Sequence, residues 1–187
     1  MDKLHFLIYY SYPMEKTTQL VLTLPKSIRI LLYSALAFGS FAIPFTISQH
    51  QLVTGTLVNA VIIGSVLLFP NRLILPIIIF PSLGVLSRGI IFGPLTPFLT
   101  YFLPIIWAGN LVLVFLFKNM QQKFGFWSSL GISAVAKYLL LYSFTNIFFH
   151  LQLVPKLFVQ TMGTLQLITA IAGGTIAYFV LKGFRGK

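Results

Sequence analysis

Between residues 54 and 117 the chain carries two charged side chains, Arg72 and Arg88, and Lys118 follows at once. Proline, glycine and those single arginines cut the stretch into apolar blocks. A soluble core has no use for so much apolar sequence. A bilayer does, because each helical crossing takes ~20 predominantly apolar residues. Charged residues make up 8% of the whole chain, against ~25% in soluble domains. The mean hydropathy is +0.93. This is the composition of an integral membrane protein, and 187 residues give one domain with several crossings.

The apolar blocks predict an all-α integral membrane protein with six transmembrane helices. The expected spans are Arg29–Ile47, Gln51–Phe69, Leu73–Ser87, Thr96–Phe117, Phe126–Phe149 and Leu157–Leu181. Turn or breaker residues fill each gap, among them Ser48-Gln49-His50, Pro70-Asn71-Arg72, residues 89–94, 118–125 and 150–155. The third span is short and holds Pro76 and Pro81, so a kinked, tilted or re-entrant segment is expected there. With both termini cytoplasmic, the inner side collects Lys3, Lys16, Lys26, Arg29, Arg72, Lys118, Lys123, Lys182, Arg185 and Lys187. The outer side receives only Arg88 and Lys156, and Lys137 lies mid-span. Ten against two follows the positive-inside rule for short loops. Residues 1–25 are too mixed to span and lack a signal-peptide pattern; they read as a cytoplasmic or interfacial extension, and 26–187 as the six-helix domain.

Several functions drop out. The only acids are Asp2 and Glu15, so the membrane part has no carboxylate for catalysis, metal cages or proton relays. There is no cysteine, hence no disulfide and no thiolate chemistry. No nucleophile–base spacing stands out, and an enzyme is not expected. The net charge of +11 comes from single basic residues between apolar blocks. That is orientation charge rather than a nucleic-acid patch, and no nucleic-acid partner is expected.

The polar residues of the apolar blocks are the candidate sites. Lys137, in SAVAKYLLLY, stands near the middle of the fifth span. A lysine there costs ~2.5–3.5 kcal/mol on insertion scales. It either lines a polar cavity, facing an anionic group of a small substrate, or caps carbonyls of a neighbouring helix. Tyr138, Tyr142 and Thr145 share a face, with Asn146 beside them, as a pocket wall or as interhelical glue. Gln166, Thr169 and Gly173 share a face that suits close packing, while Gln160 and Thr164 lie further out. Asn59 and Asn110 bury amides that need partners. His50 and His150 fall at outer helix ends without further metal ligands of the usual kind. Ala35, Gly39 and Ala42 form a small-residue face on the first helix, for packing within the chain or for docking a separate membrane protein.

These motifs, in this order, resemble the substrate-binding S component of an energy-coupling factor (ECF) type vitamin or micronutrient transporter, over roughly Ser27 to Lys187. The resemblance rests on Gly55-Thr-Leu-Val-Asn59-Ala60, the proline-interrupted third helix, the Gly/Pro-rich outer loop, and Leu103-Pro104-Ile-Ile-Trp-Ala-Gly109-Asn110. It implies a prokaryotic plasma-membrane protein that captures a small vitamin-like solute from outside. It also implies partners: a transmembrane coupling protein and a pair of cytoplasmic ATPases. No ATP-binding loop is present in this chain. The implied substrate-binding residues are Lys137 as floor, then His50, Arg88, Tyr142, Asn146 and Gln160, with the loop from Arg88 to Pro97. The implied docking face is Ala35, Gly39 and Ala42. Metal-transporting members carry an N-terminal histidine motif that Met1-Asp2-Lys3 does not match, so neither a metal nor a cofactor is expected. Other classes that fit the composition are a structural subunit or anchor of another membrane complex, including a redox one, and a stand-alone small-solute transporter.

Overall fold

A computed structural model describes residues 21–47, 50–89 and 96–185. These residues are all-helical, with no strand among them. Helix α1 is Lys26–Ile47, α2 is Gln51–Leu68, α3 is Ile74–Arg88, α4 is Thr96–His150, α5 is Lys156–Thr161 and α6 is Thr164–Arg185. A 3-10 turn, Asn71–Leu73, leads into α3. Among the described residues, five segments are long and apolar enough to cross a membrane. Most of the expected 1–25 extension, and residues 90–95 of the expected outer loop, lie outside the described residues.

Two spans differ from the sequence reading. Residues 118–125 were expected to form a loop, yet helix runs through them as part of α4, a 55-residue segment. At 1.5 Å per residue that is ~80 Å, against a hydrocarbon core of ~30 Å. The segment is interrupted only at Gly125, where φ is 75° and ψ is 176°. That conformation is open essentially to glycine alone. The two arms of α4 fold back on each other there. Phe117 meets Phe126 with ring centroids 5.3 Å apart, and Phe102 meets Phe148 at 5.1 Å. Leu141 lies against Gly109, so the pairing runs antiparallel along the arms. The expected last span is also divided: α5 ends at Thr161, and α6 starts afresh at Thr164.

The third span, by contrast, forms one continuous helix. Pro76 lies in the first turn of α3, where backbone N–H groups have no helical acceptor in any case. Pro81 lies within the helix, which continues to a left-handed cap at Gly89.

In lipid, association rests on close packing rather than on a hydrophobic drive. Helices α2 and α6 pack closely. A Cβ added to Gly173 would lie 2.5 Å from the Thr56 carbonyl oxygen and 2.7 Å from the Ala60 nitrogen. Helix α3 packs on α1 in the same manner, with Gly84 against the backbone of Phe41. The α1 side of that contact buries Ala37, Ser40 and Pro44.

The helix directions give the bundle two ends. Lys26, Asn71, Gly125 and Arg185 mark one, here called proximal; Lys118 Nζ donates to Asn71 Oδ1 across it at 2.7 Å. The other, distal, end holds the start of α2, the end of α3, the 151–155 turn and α5. Two apolar clusters fill the interior. The larger, with Ile62, Ile77, Leu113, Phe117 and Leu130, occupies the proximal half. The smaller, with Leu99, Phe102, Leu141, Phe158 and Met162, lies distally.

Candidate functional site

A cavity of about 100 Å³ lies between the two clusters. Every helix except α5 contributes to it. Its polar lining is Gln51, Thr54, Asn59, Ser82, Asn110, Lys137 and Gln166; apolar lining includes Pro44, Val58, Val85, Leu99, Ile106 and Met162.

The deep part is organised by Asn59, which is 1% exposed. Its amide nitrogen donates to the Gly55 carbonyl at 2.8 Å, back along α2, and to Thr169 Oγ1 on α6 at 3.2 Å. Its side-chain oxygen accepts from Lys137 Nζ at 2.9 Å. One asparagine thus ties α2, α6 and the second arm of α4 together. Thr169 can approach α2 because Gly55 carries no side chain: an added Cβ there would lie 3.0 Å from Thr169 Cγ2. Asn110, on the first arm of α4, donates to the Ile78 carbonyl of α3 at 3.4 Å.

Lys137 is 3% exposed. It faces the cavity with a neutral amide as its hydrogen-bond acceptor. No carboxylate belongs to the described residues, since Asp2 and Glu15 both precede residue 21. Ser82, next to Pro81, is 4% exposed, and its hydroxyl has no hydrogen-bond partner in the structure.

The distal rim is held by helix-end carbonyls, which lack donor partners within their own helix. The Thr161 carbonyl at the end of α5 accepts from Gln51 Nε2 at 3.2 Å and from Gln166 Nε2 at 3.4 Å. The Ile47 carbonyl at the end of α1 accepts from Thr54 Oγ1 at 2.7 Å. Nearby, Phe102 packs against Phe148 and Phe158. On the proximal side the larger apolar cluster closes the cavity.

Of the six residues expected to bind substrate, only Lys137 lines this cavity. Tyr142 is 39% exposed and stacks with Tyr138. Asn146 turns its amide onto the Tyr142 carbonyl at 2.7 Å. Gln160 and His50 are exposed. Arg88 lies at the distal end of α3, its guanidinium 6.0 Å from the Phe45 ring. These five gather around the distal end without meeting at one point. The sequence reading did not single out Ser82, Gln51 or Thr54 as cavity residues, and it assigned Gln166 to packing. Their common depth from one bundle end was a usable signal. No group of three metal-ligating side chains occurs among the described residues.

The Ala35–Gly39–Ala42 face is not used in the packing described above. Ala35 is exposed, and a Cβ added at Gly39 would meet no atom within 4 Å. The α1 residues that pack on α3 lie on a different face.

No family model, curated protein or solved structure matches the chain.

Proposed function

We propose that this protein is the solute-capture subunit of an ECF-type importer in a prokaryotic plasma membrane. It binds a small solute from outside and docks on a transmembrane coupling protein served by two cytoplasmic ATPases. The observation that carries the reading is the cavity lined by Lys137, Asn59 and Asn110. A structural anchor has no need of a buried cation, which costs ~2.5–3.5 kcal/mol on insertion scales.

In this reading the two arms of α4 are separate crossings, which makes six. Both termini are cytoplasmic. Lys26, Arg29, Arg72, Lys118, Lys123, Lys182 and Arg185 at the proximal bundle end support that orientation, against Arg88 and Lys156 at the distal end. The cavity then belongs to the outer half of the bundle and is closed from the cytoplasm by the larger apolar cluster. The unoccupied small-residue face of α1 supports docking rather than internal packing. The cavity volume favours a solute smaller than the vitamins expected from sequence, because drug-sized ligands take pockets of ~300–1,000 Å³.

Affinity purification from native membranes in mild detergent tests this reading. A second membrane protein together with ATP-binding subunits is expected in the eluate. Tight recovery of an unrelated soluble partner, without ATP-binding subunits, would favour the anchor.

A further inference from the structure

We infer that the cavity takes a compact organic monoanion, a monocarboxylate whose oxygens meet Lys137 and whose short apolar body lies towards Val85, Leu99 and Met162. The inference rests on the solute-capture reading and gives it a substrate class.

Four observations carry it. The first is charge. Lys137 is buried, and its acceptor, Asn59 Oδ1, orients the ammonium without neutralising it. Asn59 is itself held by Gly55 and Thr169, so it cannot turn to offer the lysine more. An ammonium presents three donors, and one goes to Asn59. The described residues supply no carboxylate to cancel the charge. A buried charge without a counter-ion is costly, and a ligand anion removes that cost on binding. A cationic solute would meet like charge instead.

The second observation is a spare polar group. Ser82 lines the same cavity, buried and without a hydrogen-bond partner. Its hydroxyl donates to an oxyanion as readily as it accepts from a donor. The third is the count of cations: among the described residues, Lys137 is the one charged residue in the lining, which matches a single negative charge. The fourth is size and wall chemistry. An apolar cavity of ~150 Å³ admits benzene. The space here, about 100 Å³, fits a slightly smaller body, and Val85, Leu99 and Met162 offer it no hydrogen bond.

Isosteric pairs isolate the charge. Propionate with propionamide, butyrate with butyramide, and benzoate with benzamide differ little in shape. Each is titrated calorimetrically into the full-length protein in lipid nanodiscs, with sodium chloride as a further arm. The acids are expected to bind at least tenfold more tightly than their amides, a ratio that about 1.4 kcal/mol supplies. The smaller pairs should exceed benzoate. Lys137→Met should bring the ratio close to one, and Ser82→Ala should weaken acids more than amides. If Lys137→Met does not fold, Lys137→Gln serves, and the comparison on the unmodified protein stands regardless.

Amides that bind as well as acids would overturn the monoanion assignment and leave solute capture intact. Chloride binding as tight as the acids would overturn the organic class. Absence of binding by every acid would overturn the inference outright. Solutes recovered from the protein as purified then decide whether capture itself survives: a neutral or cationic compound preserves it, and none at all removes its support.

Discussion

Lys137 and Asn59 behave as one unit, and that governs how substitutions should act. Removing the amide leaves the ammonium buried with no acceptor. Removing the lysine leaves only a neutral oxygen unpaired and relieves the burial of charge. Asn59→Ala should therefore destabilise the protein by about 1–3 kcal/mol, and more than Lys137→Met does. Thermal unfolding of the two variants in the same detergent checks the order; the reverse order would mean that Lys137 contributes chiefly as a helix tie. Lys137 itself was legible as a lone cation in an apolar block. Its partner was not, because a side chain's rotation about its helix is not written in hydropathy. In lipid, neighbouring helices and acyl chains are equally apolar, so no polar face marks the outside. Ser82 was missed for the same reason, since a serine in an apolar helix commonly bonds its own backbone.

At the scale of elements, two glycines fix the architecture by different means. Gly125 turns the chain between the arms of α4 in a conformation other residues avoid. Gly125→Ala should cost about 1–3 kcal/mol, read as a lower unfolding temperature. An unchanged temperature would mean that the turn relaxes without strain. Gly173 works by absence of bulk against the α2 backbone. The turn at 118–125 was legible as a break between apolar blocks. That one residue would make it, with helix on both sides, was not. The small-residue face of α1 gives a third prediction. Gly39→Trp should leave solute binding unchanged, since Gly39 is remote from the cavity lining and faces open space. It should abolish copurification of the coupling protein. Normal assembly by this variant would remove the face from the docking account.

For the molecule as a whole, hydropathy made the helical, apolar architecture legible, while the proposed six crossings and their orientation rest on the one-sided basic distribution. The chain has no cysteine, so single introduced cysteines report topology without background. Cysteines replacing Lys123 and Gly183, at the proximal end, should react with a membrane-impermeant maleimide only after the cells are opened. Cysteine at Gln152, at the distal end, should react in intact cells. Labelling of Lys123→Cys from outside would invert or reduce the six-crossing topology. The cavity was not legible at this scale. It arises where five helices leave a gap between two apolar clusters, a property of their relative rotation and depth.

The central claim is that this gap holds a solute on Lys137. It is tested most directly by mass spectrometry of small molecules released from the purified wild-type protein and from Lys137→Met, prepared in parallel from the same host. A single low-mass acid in equimolar amount from the wild type, and absent from the variant, is the predicted result. An equal yield of the same compound from both proteins, or no compound from either, would contradict it.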